Sequence, residues 1–216
     1  GGERTRNHTA ALAVLAARRM LAKPHPRIAL FGFGVQGHSI AQALADLKPA
    51  HLAVVDPGAT AERIAAFARK VDFAVQPMGA QDAVGQADLV VTATRSKAPV
   101  FDGAWLRPGT SVVAIGTSLP TGRELDDTTL RRAARVLVEW KPQSLIEAGE
   151  VVLAQASGAL QGDEKIADLA EIFAGRAPWR AGADEIVVFK SVGLGLCDVA
   201  AAWLAAEGVA RVLDVQ

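Results

Sequence analysis

Short apolar runs alternate with amphipathic stretches along most of this chain, and that order predicts strands separated by helices. Arg27 to Phe33 is short and apolar without clean alternation, as in a parallel strand covered on both faces. His51–Val55, Phe73–Gln76, Leu89–Thr94, Ser111–Ile115 and Val136–Trp140 repeat the pattern, with helical stretches at Val35–Leu47, Ala61–Lys70 and Gly79–Ala87 between them. Strands separated by helices in this way predict an α/β fold, a Rossmann-type doubly wound parallel sheet. Beyond Trp140 the periodicity becomes mostly helical, with candidates at Pro142–Ala148 and Asp163–Phe173. A last strand follows at Glu185–Lys190, then an apolar helix at Leu194–Glu207 ended by Gly208.

Ahead of the first strand, residues 8–22 form an alanine- and leucine-rich helix, which the two prolines of the Lys23–Pro26 stretch interrupt. A domain boundary is expected there. A sheet domain over 24–184 is therefore expected, with 1–23 and 185–216 as a two-segment appendage beside it. The terminal helices that form the appendage are apolar around much of their circumference, which points to packing on each other or across a homodimer interface.

Composition narrows the function classes. Half of the 216 residues are hydrophobic, enough for a substantial core, and 23 basic side chains balance 23 acidic ones. Such a balance gives no electrostatic footprint for nucleic acid or an anionic membrane. No apolar run approaches the roughly 20 residues of a membrane span, and a cytoplasmic protein is expected. The single cysteine, Cys197, excludes an internal disulfide and reads as a small buried hydrophobe on a helix. His8, His25, His38 and His51 are scattered without metal-ligand spacing, so no metal is expected.

The candidate chemistry lies where the first predicted strand ends. Gly32, Gly34 and Gly37 spell G-x-G-x-x-G at the entry to a helix. The first allows the tight turn, the second lets a pyrophosphate approach the backbone, and the third lets helix and strand pack closely. Val35 and Gln36 complete the turn, and unpaired N–H groups at the helix start favour the phosphates. Asp56 ends the second strand nineteen positions after Gly37, where such a fingerprint carries an acid for the ribose hydroxyls. A carboxylate repels a 2′-phosphate, so NAD(H) is preferred, while Arg63 keeps NADP(H) open. Asp56 capping the following helix is the plainer alternative. The loop after the fourth strand, from Arg95, falls at the carboxyl edge where open parallel sheets bind ligands.

Five stretches carry a resemblance to a known family: HTAALAVLAAR at 8–18, GFGVQG at 32–37, AIGTSLPTGRELDD at 114–127, EAGEVVLA at 147–154 and DEIVVFKSVGLGLCDVAAA at 184–202. The chain resembles the ornithine cyclodeaminase and mu-crystallin family, which includes ketimine reductases acting on pyrroline-2-carboxylate and piperideine-2-carboxylate. The resemblance covers the later part of a usual member. A usual member's further N-terminal segment contributes to dimerisation and supplies basic groups that grip the substrate carboxylate, so the resemblance makes 24–184 the dinucleotide-binding domain and 1–23 with 185–216 the remnant of a substrate and dimerisation domain.

The resemblance implies several roles. The nicotinamide is expected near Thr92, Ala93, Thr94 and Arg95 and near Gly116 to Ser118. His8 stands where an arginine often binds the substrate carboxylate; it is a substrate-binding candidate or a surface residue at a helix start. Where cyclodeaminases carry an acid in the loop after the fifth strand, this chain has Ser118, as the ketimine-reductase branch does. A hydroxyl is no carboxylate base for oxidative deamination at neutral pH, yet it orients an imine, a water or a carboxylate. Ser118 is thus a catalytic and substrate-binding candidate, or an ordinary turn residue. Lys190, in FKSVG, is a candidate catalytic cation, with a structural ion pair as its alternative. The expected function is NAD(P)H-dependent reduction of a cyclic imino acid to L-proline or L-pipecolate. The alternatives are an ornithine cyclodeaminase, an amino-acid dehydrogenase, or a non-catalytic nucleotide-binding protein of the mu-crystallin kind.

Overall fold

The computed structural model describes residues 2–193 and residue 195, with side chains from residue 9 onward. Among the described residues eight strands form one sheet: β1 (Arg27–Phe31), β2 (His51–Val55), β3 (Ala74–Pro77), β4 (Leu89–Thr92), β5 (Ser111–Ala114), β6 (Arg135–Val138), β7 (Ile166–Asp168) and β8 (Val187–Lys190). Their order is β3-β2-β1-β4-β5-β8-β6-β7, and the pairings are parallel. The doubly wound parallel sheet expected from the apolar runs is present. Helices α1 (Gly2–Met20), α2 (Val35–Ala43), α3 (Ala61–Ala68), α4 (Ala80–Gln86), α5 (Asp127–Arg132), α6 (Lys141–Glu147), α7 (Gly149–Ala156) and α8 (Leu169–Phe173) accompany it.

Strand residues divide between two cores as the pleat requires. Ile28, Leu30, Val91, Val113, Val187 and Phe189 pack on one face, and Ala29, Phe31, Val90, Val112, Ala114 and Val188 on the other. Burial on both faces is why these strands read as continuous apolar runs. Helix α1 joins the first core through Ala10, Ala13, Ala16, Ala17 and Met20, and packs on α2 and β5. Its small side chains let it lie close to the sheet layer.

The architecture differs from the sequence reading at three places. Residues 187–190, given above to the appendage, form an interior strand between β5 and β6, where all four are buried. Only the crossover topology, invisible in a linear pattern, puts them there. The helix expected over Asp163–Phe173 is instead strand β7 followed by α8. Asp168 caps α8, accepting from Glu171 N at 2.9 Å, while Glu171 reaches back to Asp168 N at 3.0 Å. The long helix expected over Val35–Leu47 tightens to a 3₁₀ turn at Leu44–Leu47. The expected helix at Leu194–Glu207 and Cys197 lie outside the described residues.

Two polar hubs fasten the edge of the sheet away from the strands' carboxyl ends. Arg180 donates to the carbonyls of Met20 (2.6 Å) and Gly109 (3.0 Å), to Ser111 Oγ (3.0 Å) and to Glu185 O, tying α1, β5 and the approach to β8. Asp88 accepts from Arg27 N at 2.9 Å and Arg107 Nη2 at 3.0 Å, with Lys23 Nζ at 3.1 Å. Burial pushes the Asp88 carboxyl up, but the Arg27 amide and the Lys23 and Arg27 cations outweigh it and hold the group below its ordinary value. A depressed carboxylate stabilises the fold above its unfolded pKa of about 3.9, and that contribution disappears as pH falls through the folded value. Asp88→Asn should cost about 1–2 kcal/mol at pH 7, the cations being partly exposed. Urea melts from pH 7 to pH 3 should show the two proteins converging as the pH falls below about 4. A constant gap across that range would contradict this account of Asp88.

Candidate functional site

The strand order reverses between β1 and β4, and at the carboxyl ends of these strands a cleft of about 840 Å³ opens. Phe31, Gly32, Gly34, Val35, Gln36, Asp56, Ala93, Thr94, Arg95 and Gly116 line it. Ligands of open parallel sheets bind at such a switch point. The glycine turn and Asp56, separate in sequence, therefore meet in one concavity with the loops after β4 and β5.

The turn has the shape that a pyrophosphate needs. Gly32 sits at φ +87° with its carbonyl against the first turn of α2, so closely that a Cβ on Gly37 would fall 1.9 Å from Gly32 O. A Cβ on Gly34 would meet nothing within 4 Å, and Gly34 lines the cleft. Val35 beside it is two-thirds exposed, an apolar side chain at the open mouth. An anionic group thus has room against the start of α2, where backbone N–H groups point outward.

Asp56 is fixed from behind. Its Oδ1 accepts from Gly58 N at 2.7 Å and its Oδ2 from Phe33 N at 2.5 Å, which leaves lone pairs on both oxygens for ligand hydroxyls. Arg63 Nη2 donates to Phe33 O at 2.7 Å and lies over the Phe33 ring at 5.9 Å. Under the turn, His38 packs on Phe33 and Phe67. Burial, then Lys70 and Arg63, lower its pKa, so it is neutral at pH 7.

The remaining candidates divide. Thr92 and Gly37 lie beneath the cleft; Thr92 is fully buried and donates from Oγ1 to Glu124 Oε2 at 2.9 Å. Ser118 is exposed in the loop after β5. Lys190 is not on the wall of the cleft: it is completely buried, its Nζ 2.9 Å from Glu150 Oε2 and donating to Thr117 O. Its environment is that of the structural ion pair named above as the alternative. His8 belongs to α1, but its side chain lies outside the described residues. Among the described residues no cluster of His, Cys, Asp or Glu has the arrangement of a metal site, and no helix is long and apolar enough to cross a membrane.

Three acids escaped the sequence reading. Glu124 and Glu150 are fully buried, and Glu139 is nearly so. Glu124 Oε1 accepts from Thr94 N and Thr94 Oγ1, both at 2.7 Å, while Oε2 accepts from Gly116 N at 2.7 Å. Glu150 Oε1 accepts from Glu124 N at 2.9 Å. Glu139 Oε2 accepts from Val192 N at 3.1 Å and Gly193 N at 2.9 Å, clamping the segment after β8. In a sequence these acids are indistinguishable from solvated ones. The one available signal was that Glu124 and Glu150 fall inside the AIGTSLPTGRELDD and EAGEVVLA stretches.

With this geometry in hand, similarity to known proteins is specific. The chain is 34% identical over 220 residues to the Delta(1)-pyrroline-2-carboxylate reductase of Paracoccus denitrificans, covering 95% of this chain and 65% of that protein. The structure of Thermococcus litoralis Delta(1)-pyrroline-2-carboxylate reductase in complex with NADH and L-proline superposes with a TM-score of 0.88 at 30% identity, over 98% of this chain and 66% of that one. The probable ornithine cyclodeaminase of Bordetella pertussis Tohama I superposes with a TM-score of 0.84 at 45% identity, over 92% of this chain and 63% of that one. The chain thus spans less than two thirds of the length of each. Residues 4–211 match a family throughout, and the chain belongs to the ornithine cyclodeaminase/mu-crystallin family.

Proposed function

We propose that the protein reduces a cyclic imino acid, pyrroline-2-carboxylate or piperideine-2-carboxylate, to L-proline or L-pipecolate with NAD(P)H, NADH being the better donor. The observation that carries this reading is the cleft at the switch point, which unites the glycine turn, Asp56, Thr94 and Gly116. The space in front of Gly34 and the free lone pairs of Asp56 fit a dinucleotide. A bound reduced nicotinamide supplies the hydride for the imine carbon.

The chain's own residues supply the rest. Amides at the start of α2 bind the pyrophosphate, and Asp56 accepts from the ribose hydroxyls. The Asp56 carboxylate also repels a 2′-phosphate, and Arg63, held on Phe33, is committed behind the turn. Thr94, Arg95 and Gly116 line the nicotinamide end. Ser118 orients the substrate by hydrogen bonding, and a proton reaches the imine nitrogen from solvent, since protonation raises the electrophilicity of the carbon. The balance is one hydride and one proton added across C=N. A cytoplasmic homodimer, with His8 as a candidate ligand of the substrate carboxylate, belongs to the same proposal.

A second reading, ornithine cyclodeamination, is raised by the 45% identity to the probable ornithine cyclodeaminase of Bordetella pertussis, but the similarity to pyrroline-2-carboxylate reductases does not favour it. Ser118 argues against it, because the loop offers a hydroxyl where deamination uses an acid. NADH and NADPH oxidation, followed by absorbance with both cyclic imines on the full-length protein, decides. Turnover with either imine is expected, faster with NADH. Ammonia release from ornithine with catalytic NAD⁺, and no imine reduction, would transfer the assignment to the cyclodeaminase.

A further inference from the structure

We infer that Glu124 is a positioning residue, whose buried carboxylate ties the ends of β4 and β5 together and so sets the part of the cleft that receives the nicotinamide. The inference rests on the dinucleotide reading above, but not on which imine is reduced. Oε1 takes the backbone N–H of Thr94, and Oε2 takes that of Gly116. Backbone N–H groups cannot be turned into acceptors, so both oxygens face obligatory donors. Only a carboxylate, which accepts on both oxygens, satisfies the two loops at once. Thr92 and Thr94 hydroxyls add a further donor to each oxygen, so the group is fully enclosed by its partners.

The convergence is tight. A Cβ on Gly116 would fall 2.3 Å from Glu124 Oε1, 2.3 Å from Thr94 O and 2.5 Å from Thr94 N, so the two strand ends meet at van der Waals distance around this carboxylate. Thr94 and Gly116 themselves line the cleft, whereas Glu124 is fully buried and is absent from its wall. Glu124 acts through them. The same peptide segment is also held by Lys190, which donates to Thr117 O. Gly116 N and Thr117 O are thus both held by buried side chains, and Ser118 follows directly on that segment.

Glu124→Gln preserves size but places an NH₂ group against either Thr94 N or Gly116 N, whichever way the amide turns. One strand end is released. The glycine turn and Asp56, at the adenosine half of the cleft, keep their partners. The test compares the affinity of NADH with that of ADP-ribose, which has the pyrophosphate and ribose but no nicotinamide, in wild type and E124Q. NADH affinity should fall about tenfold, as for a lost hydrogen bond network of one to two bonds, with ADP-ribose affinity unchanged within about twofold. Equal weakening of both ligands, or of neither, would overturn the positioning role and leave general structural support in its place.

Should E124Q not fold, Thr92→Val removes one hydroxyl donor at a buried position without adding a polar group, and the same split is expected at about threefold. A wild-type protein that binds neither NADH nor NADPH overturns the dinucleotide reading and this inference together. Binding without imine turnover sinks only the proposed reaction, because the two affinities still report on Glu124.

Discussion

Lys190→Met should lower the stability of the folded protein by about 3–5 kcal/mol, the cost of stranding a buried charge. The Lys190 and Glu150 side chains are both fully buried, with Nζ and Oε2 2.9 Å apart. Oε2 is off the line of a good hydrogen bond, so the pairing is chiefly Coulombic. Methionine fills much of the space of the lysine stem but leaves the Glu150 carboxylate with Glu124 N as its donor and no cation. It also releases Thr117 O, an acceptor that Lys190 holds. Urea denaturation of the single and double variants separates these effects. In Lys190→Met/Glu150→Gln the amide oxygen still accepts from Glu124 N, and no charge remains buried, so the double variant should be more stable than the single one. Replacing whole buried pairs is often close to neutral, whereas removing one member is not. A double variant no more stable than K190M would place the loss in packing or at Thr117 O, not in the charge of Glu150.

What could be read from the chain and what could not follow from the range of the interactions involved. The strands of the sheet were visible because burial on both faces writes a local apolar run, and Leu89–Thr92 and Ser111–Ala114 announce themselves within a few residues. The glycine turn and Asp56 were visible because fixed offsets along one βαβ unit determine their meeting. Strand β7 was hidden inside a segment of helical period, although Asp168 and Glu171 have the spacing of the capping box that starts α8. The place of β8 depends on a crossover from the far part of the chain, which no local pattern encodes. Glu124, Glu139 and Glu150 were missed for a different reason. A carboxylate is buried only because specific partners far along the chain, such as Thr94 N for Glu124 and Gly193 N for Glu139, surround it. Sequence alone assigns such acids to solvent. Lys190 shows the same limit from the other side: the FKSVG stretch marked it as important, but its role as the partner of Glu150 required the fold.

Adding one methyl group at Gly34 and one at Gly37 should have opposite consequences, although the two glycines are three positions apart in the same turn. At Gly37 the new Cβ would lie 1.9 Å from Gly32 O, far inside contact distance, and the obstacle is backbone that cannot rotate away. Helix α2 would have to move off the end of β1. Gly37→Ala should therefore destabilise the fold by about 1–3 kcal/mol, the usual cost of overpacking, and lose dinucleotide binding as a secondary result. At Gly34 the new Cβ meets no protein atom within 4 Å. Gly34→Ala should melt within a few tenths of a kcal/mol of wild type, yet its methyl group occupies the space in which the pyrophosphate approaches the amides of α2. Losing one charge-assisted hydrogen bond there costs about 1.5–3 kcal/mol, roughly a 10- to 100-fold loss of NADH affinity. ADP-ribose should weaken by the same factor, since it carries the same pyrophosphate, which distinguishes G34A from the nicotinamide-selective effect expected at Glu124. Thermal melts with titrations of both ligands test the contrast. If G34A binds NADH as wild type does, the phosphates do not pass in front of this turn, and the dinucleotide must be placed elsewhere in the cleft.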